Sequence, residues 1–417
     1  MPPRLLVVSN GHGEDLIALR VIEALLRLRA DVEIGVLPLV GRGAVFEGAE
    51  RGGLLRRLGP QALLPSGGFS NQSLGGLVAD LAAGLPALSW QQLRLVRRWA
   101  DNGAAVLAVG DLLPLLMAWL GGGCYGFIGT PKSDYTWATP DPAAPGCPSL
   151  SDRYHRSKGS EWDPWEWTLM ATRRCRLVAV RDQLTARGLG RHGVAALAPG
   201  NPMMDGFDPQ PPPKLQGRRI LLLPGSRMPE ALANLERLLG AVTPLHLGQL
   251  CLLLPTGSQP TPGQLAPLLQ TLGFVAGGEA ADAGAASCWF RGPLELLVGP
   301  GAFARWAPWA ELGLACAGTA TEQLAGLGCG ALSLPGPGPQ FTPAFAHRQS
   351  RLLGGAVQVC QNPSELGKRL GDLLADAELR RQLGERGRRR MGPAGGSQRL
   401  ASLIAERLLA TPPSPTP

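Results

Sequence analysis

Lysine is nearly missing from these 417 residues: only Lys132, Lys158, Lys214 and Lys368 occur, and the other 36 of the 40 basic residues are arginine. Charged residues make up 17% of the chain against 45% hydrophobic ones, which excludes disorder for its bulk. The eight cysteines form no Cys-x-x-Cys pair and there are only five histidines, so a zinc site of finger or ribbon type is excluded. Scattered cysteines of this kind are expected as reduced, mostly buried thiols in a cytosolic compartment. No apolar run is long enough to span a bilayer. The richest, residues 104–123, is broken by Asp111 and Pro114 and falls short of the roughly 20 residues needed. The opening MPPRLLVVSNGHGED has too short an apolar run for a signal peptide. Glycine (57) and proline (39) are abundant but follow no triplet period, so they punctuate an α/β chain and do not build a collagen.

What is present fits an α/β protein of two to three domains' length. Short apolar runs at residues 4–9, 32–39, 104–109, 125–128 and 177–180 have strand length, and helical patterns separate them. In residues 15–28, Leu16, Leu19, Ile22 and Leu26 fall on one helical face. After the proline-rich stretch 208–214, a semi-rigid linker, the alternation restarts with strands at 220–223, 250–254, 312–316 and 331–334. A basic helix is expected from Pro363 to about Arg390, and a last one near residues 398–409 before a disordered tail. Residues 139–167, rich in Pro, Asp, Ser and Trp, break the rhythm and are expected as a long loop ending in a short helix. Strands alternating with helices imply parallel sheets with right-handed crossovers. The expected architecture is two doubly wound, Rossmann-like domains facing across a cleft.

In open parallel sheets ligands gather where strands hand over to helices, and three such junctions here are polar or glycine-rich. The first is Asn10-Gly-His-Gly-Glu-Asp. Gly11 and Gly13 have dinucleotide spacing, and Asp31 and Glu33 lie about where a ribose-binding acid would be, but Leu16 stands where the third glycine belongs. The loop is either a tight turn whose Glu14 and Asp15 complement the helix dipole, or a polar cluster holding a sugar acceptor.

The second junction is Leu-Leu-Leu-Pro224-Gly225-Ser226-Arg227-Met228-Pro229-Glu230. Gly225 permits close backbone approach, Ser226 suits a helix cap and Pro229 a first helical turn. Arg227 at the positive end of a helix then makes an anion site. The third is Gly318-Thr319-Ala-Thr-Glu322-Gln323, in which Thr319 and Glu322 have capping-box spacing. Functionally, Gly318 and Thr319 would face a phosphate while Glu322 takes ribose hydroxyls. A net charge of +8, almost all of the basic side arginine, suits phosphate recognition without choosing among nucleic acid, anionic membrane and phosphorylated substrates.

Leu-Pro-Gly-Ser-Arg-x-x-Glu (residues 223–230), followed about ninety residues on by Gly-Thr-Ala-x-Glu, resembles the lipid-A-disaccharide synthase family of GT-B glycosyltransferases. Gly-x-Gly-Glu-Asp ending at Asp15 occupies the place of that family's N-terminal loop. Val40-Gly-Arg-Gly-x-x-x-Glu47 resembles its second glycine loop, and Pro199-Gly-Asn-Pro-Met-Met-Asp205 its interdomain Gly-x-x-x-x-Asp. The insert at 139–167 and Gly338-Pro-Gln-Phe-Thr-Pro-Ala-Phe345 are most similar to a synthase-related subgroup.

The resemblance implies an inverting hexosyltransferase working from a UDP-sugar, with N-acetylated and acylated hexoses included, onto a lipid or lipid-linked acceptor. Residues 1–207 would form the acceptor domain, 215–390 the UDP-sugar domain, and 391–417 a C-terminal helix and tail. Gly225, Ser226, Arg227, Glu230, Gly318, Thr319, Glu322 and Gln323 would bind the donor. The base would be Asp111, which also suits a helix cap, or else His12 or Glu14. No metal or separate cofactor is expected, since no Asp-x-Asp motif occurs and Arg227 with helix dipoles would meet the phosphate charge. Nor is a nucleic-acid partner expected.

The rival of the same fold is a UDP-sugar 2-epimerase, and the non-catalytic rival a sugar-nucleotide or lipid-binding relative. A cytoplasmic enzyme peripheral on the inner membrane face must dock there. Residues 69–99 are the candidate, with Leu74, Leu77, Val78, Leu81 and Leu85 ahead of Arg94, Arg97 and Arg98 on one helical face. Alternatively Leu88, Leu95 and Trp99 pack into the sheet and the arginines sit in water.

Overall fold

The computed structural model describes residues 2–11, 13–60, 85–140, 149–207, 210–278, 283–336, 338 and 341–410. They form two compact units. One comprises Met1–Asp134, Tyr154–Asp205 and Ala394–Pro417, the other Tyr135–Arg153 and Gly206–Pro393. Residues 135–153 thus belong to the second unit, although the chain order sets them among the first. Two arginines of the second unit hold that stretch. Arg351 makes a bidentate pair with Asp152, at 3.0 and 3.1 Å, and the Arg390 guanidinium lies 3.7 Å over the Tyr135 ring.

The first unit carries a wholly parallel sheet of β1 (Arg4–Ser9), β2 (Glu33–Pro38), β3 (Arg56–Arg57), β4 (Ala105–Gly110), β5 (Tyr125–Gly129), β6 (Cys175–Val180) and β7 (Ala196–Leu197). Their order is β3-β2-β1-β4-β5-β6-β7. The central strands are buried on both faces, which explains their unbroken apolar runs. Leu5 and Val7 pack with the helix Gly13–Leu28, and Leu6 and Val8 pack on the other side with Leu115 and Met117 of the helix Leu112–Leu120.

The C-terminal helix Gly396–Arg407 closes the first of these faces through Leu400, Ala401 and Ile404. Asp205 fixes its start, accepting the backbone N–H groups of Gly395 and Ser397 at 2.5 and 2.8 Å. The aspartate of the Gly-x-x-x-x-Asp string therefore serves as a helix anchor.

The second sheet contains β8 (Arg218–Leu223), β9 (Leu250–Thr256), β10 (Val275–Ala276), β11 (Ser287–Arg291), β12 (Leu294–Pro300), β13 (Leu312–Ala315), β14 (Ala331–Ser333) and β15 (Val357–Val359). The order is β10-β11-β12-β9-β8-β13-β14-β15, with β11 antiparallel to both β10 and β12. That antiparallel edge was not foreseen from the sequence. The "loop" at 139–167 holds the helices Leu150–Lys158 and Pro164–Met170, and the basic helix is two, Pro363–Ala375 and Ala377–Met391.

Of the expected membrane segment, residues 61–84 lie outside the described residues. The helix Leu85–Asp101 buries Leu88, Leu93 and Val96, and Gln92 donates to the Leu39 carbonyl at 3.1 Å. Trp99 packs beneath the Arg4 guanidinium, 4.5 Å from its ring centre. The arginines at 94 and 98 and Trp90 stay exposed, while Arg97 Nε donates to the Leu120 carbonyl. Among the described residues no helix is long and apolar enough to cross a membrane.

In both sheets the first strand is flanked on one side by the second strand and on the other by the strand that starts the return leg. β1 lies between β2 and β4, and β8 between β9 and β13. Connections leaving the carboxyl ends of such neighbours diverge, opening a crevice there.

Candidate functional site

At the first crevice, β1 is followed by the acidic loop and β4 by Asp111. Glu14 and Asp15, adjacent in sequence, part company. Asp15 turns inward and accepts the buried Ser9 hydroxyl at 2.6 Å, an anchor for the turn. Glu14 faces the other way. Its stem fits the open side of Gly110, where a Cβ would stand 3.3 Å from Glu14 Cγ, and the positive φ of 134° there also favours glycine. The Thr130 hydroxyl, just past β5, makes a long 3.3 Å contact to Glu14 Oε1.

Burial pushes the Glu14 carboxyl up to about 7, and the nearby Asp111 carboxylate adds to the shift. The Glu14 backbone N–H and the Thr130 hydroxyl oppose it. Asp111 is half-buried and caps the helix Leu112–Leu120, its Oδ1 accepting the Leu113 N–H at 3.1 Å. Capping and proximity to Glu14 therefore coexist at one residue. His12 lies outside the described residues.

At the second crevice the loops after β8 and β13 run side by side. Cys316 N–H donates to the Leu223 carbonyl at 2.8 Å, and among the described residues Gly225 (φ 98°) has only the Cys316 carbonyl near its bare side, 3.6 Å from where a Cβ would be. Two expectations fail here. The helix after β8 starts at Glu230 with Pro229 in the cap position and no side-chain cap, so Ser226 does not cap it but stands exposed in the intervening turn. The helix after β13, Thr319–Gly326, is capped by Gly318 without a side-chain bond, so Thr319 and Glu322 form no capping box. Thr319 occupies the first helical position, one residue too late to cap. Both motifs still place a helix N-terminus at the crevice.

Burial draws the Arg227 guanidinium below its ordinary value, and Glu230 opposes this. Glu230 lies against Gly338 of the loop after β14, Glu322 is half-buried, and Gln323 is buried.

Sequence reasoning missed four buried polar side chains near these strand ends. Asn234 Nδ2 donates to the Pro224 carbonyl at 3.0 Å, and Gln349 Nε2 to the Gly318 carbonyl at 2.8 Å. Thr256 ends β9 and Ser333 ends β14. Asn234 Oδ1, Gln349 Oε1, Thr256 Oγ1 and Ser333 Oγ find no hydrogen-bond partner among the described residues. One such atom therefore stands by the carboxyl end of each of four adjacent strands, β9, β8, β13 and β14. Buried polar atoms are nearly always paired, with ordered water or a ligand where the chain offers no partner. No local pattern marks these residues, because tertiary packing alone gathers them. Among the described residues no group of three or more His, Cys, Asp or Glu is placed to hold a metal ion.

No family model and no curated protein matches the sequence. Solved structures match the fold. S. aureus MnaA, determined with UDP, is 13% identical with a TM-score of 0.57, covering 97% of this chain and 96% of that one. UDP-GlcNAc 2-epimerase from Neisseria meningitidis, bound to UDP-GlcNAc, is 14% identical with a TM-score of 0.54, covering 97% and 99%. MurG of Acinetobacter baumannii is 16% identical with a TM-score of 0.52, covering 97% and 100%. The fold is GT-B. At these identities the likeness carries the fold and nothing finer.

The Glu14 shift makes a prediction that needs no substrate. The folded chain keeps the Glu14 proton up to about pH 7, whereas an unperturbed carboxyl releases it at 4.5, so folding takes up a proton between those values. Stability is then highest below pH 4.5 on this account and falls by about 3 kcal/mol as pH rises past 7. Glu14→Gln should lose that slope and exceed the wild type in denaturant midpoint at pH 8 but not at pH 4.5. Parallel curves for the two proteins at both pH values would remove the assignment.

Proposed function

We propose that this chain is an inverting glycosyltransferase that moves a hexose from a UDP-sugar to a lipid or lipid-linked acceptor. The observations that support the donor half are the two helix N-termini and Arg227 at the carboxyl ends of β8 and β13, with buried polar atoms that lack a partner among the described residues by the same strand ends. That arrangement suits a ligand with a diphosphate and many hydroxyls. Backbone N–H groups at helix starts and an arginine fork stabilise phosphate charge, and orphaned acceptors take hydroxyl or imide protons. UDP in the S. aureus structure and UDP-GlcNAc in the Neisseria one support a uridine donor. Gly225, Ser226, Arg227, Glu230, Gly318, Thr319 and Gln323 would line the phosphates and sugar, with Glu322 accepting ribose hydroxyls.

In an inverting transfer the acceptor oxygen attacks C1 as the C1–O bond to UDP breaks, and the acceptor's proton passes to a base. Asp111 is our base, with Glu14 beside it as a carboxyl that still holds a proton near neutrality. His12 is the remaining candidate. The lipid acceptor rests on the sequence resemblance. It requires a protein peripheral on the cytoplasmic membrane face, and we assign docking to the exposed face of Leu85–Asp101 with Trp90, Arg94 and Arg98. The second reading is a UDP-sugar 2-epimerase, which the acid–base pair Glu14 and Asp111 would also serve. A non-catalytic relative would bind UDP and turn over nothing.

Calorimetry tests the donor site. Arg227→Ala should weaken UDP binding by about 1.5–3 kcal/mol, the usual worth of a charge-assisted hydrogen bond, and Glu322→Ala should weaken it too. Unchanged affinity in both variants places the donor elsewhere.

Radiolabel from UDP-GlcNAc should enter the organic phase of a bacterial lipid extract. Asp111→Asn should slow that transfer by about 10²–10⁴, while Glu14→Gln, still a neutral hydrogen-bonding group, should slow it far less. Consumption of UDP-GlcNAc without lipid, giving its 2-epimer, would establish the epimerase instead.

For docking, co-sedimentation with vesicles should need anionic lipid and weaken with salt. An Arg94→Ala/Arg98→Ala variant should lose about 2 kcal/mol of binding, at about 1 kcal/mol per basic residue. Equal sedimentation of variant and wild type excludes this helix.

A further inference from the structure

The string Gly338–Phe345 runs into a helix whose Gln349 has so far been counted only among the unpaired polar side chains. That helix, Pro343–Leu352, begins where the Thr342 hydroxyl accepts the Phe345 N–H at 3.2 Å, with Pro343 in the first turn. Phe345 and Gln349 lie four residues apart, on one face of the helix. Both reach Gly318. The tip of the Phe345 ring is 3.4 Å from where a Gly318 Cβ would be, and the Gln349 amide donates to the Gly318 carbonyl at 2.8 Å.

We infer that Gln349 is a positioning residue for the diphosphate turn, its buried amide fixing the Gly318–Thr319 peptide that the donor's phosphates face. The inference rests on the donor reading above. Gly318 caps its helix with no side-chain help and with unusual torsions (φ −86°, ψ −89°). Its carbonyl accepts the N–H groups of Thr321 and Glu322 at 3.1 and 3.2 Å, and the Gln349 contact is shorter than either. A peptide unit is planar, so holding the carbonyl of Gly318 also aims the Thr319 N–H on its opposite side. That N–H is one of the first-turn donors which no helix bond can satisfy.

A purely packing role fits poorly. Gln349 is 3% exposed, and its Oε1 has no partner among the described residues. Leucine or methionine would fill similar volume without burying an unpaired oxygen, which destabilises the empty protein. The amide therefore serves the turn, and the orphaned oxygen points to a donor brought by ligand or water.

The test titrates UDP, inorganic pyrophosphate and uridine into the full chain, by calorimetry for the first two and by NMR for the nucleoside. In Gln349→Leu, UDP and pyrophosphate affinity should fall about three- to tenfold, the worth of one hydrogen bond, with uridine unchanged. Gln349→Glu, an acceptor placed against a carbonyl and near phosphate, should fall further. Gln349→Met replaces the leucine variant if circular dichroism shows that one unfolded. UDP affinity within about twofold of wild type, or a parallel loss for uridine, overturns the inference. If Arg227→Ala weakens UDP while Gln349→Leu does not, the donor reading stands and this inference alone falls. If wild type binds neither UDP nor pyrophosphate, both fall.

Discussion

Everything functional in this chain depends on where its sheets change direction. A right-handed crossover carries each strand to its parallel neighbour, and a sheet that grows first to one side of its opening strand and then to the other must send two connections apart. Between β1 and β4, and again between β8 and β13, that parting leaves room at the carboxyl ends of the strands for loops and helix N-termini to gather. Glu14 and Asp111 stand at the first parting, Arg227 and Gly318 at the second. The motifs do not create these crevices; they fill crevices that the winding order makes unavoidable.

The two crevices differ in physics. The first is titratable: burial, with Asp111 adding to it, holds Glu14 well above the ordinary carboxyl range. Such a group weakens the fold at neutral pH, and side chains with that property persist where chemistry uses the proton. The second relies on fixed dipoles and unpaired neutral atoms, which do not titrate near neutrality. A proton-transfer task and a phosphate-holding task call for those two kinds of environment respectively.

Much of this was legible in the residues, for identifiable reasons. Doubly buried parallel strands announce themselves as apolar runs, so β1, β4, β8 and β9 were apparent from sequence. The short edge strands β3, β7, β10 and β15 bury too little to leave a pattern, and β11, buried only at Cys288 and Trp289, alternates too little to be read as a strand. The anion-type loop was visible because glycine, serine, arginine and proline each have a local meaning. Local meaning also misled: Ser226 and Thr319 look like caps, yet the cap lies three residues later in one case, at Pro229, and one residue earlier in the other, at Gly318. Asn234, Thr256, Ser333 and Gln349 were invisible because an isolated polar residue in an apolar stretch acquires its role only from neighbours distant in sequence.

The scarcity of lysine takes on a structural sense against this background. Lys158 pairs with Asp163, and Lys132 lies 2.5 Å from Glu166 and 3.6 Å from Asp163, so half of the chain's lysines converge on one acidic turn. There a compact ammonium suits, because Lys132 also lies over the face of Trp162, 5.0 Å from its centre. Where the task is to span a strap or meet two oxygens at once, the chain uses arginine, as in the bidentate Arg351–Asp152 pair. Under the proposed donor reading, Arg227 at the head of the Glu230–Val242 helix would belong to that second group. A planar fork beside aligned backbone N–H groups can bind two oxygens of a phosphate in fixed register, which an ammonium on a flexible stem cannot do.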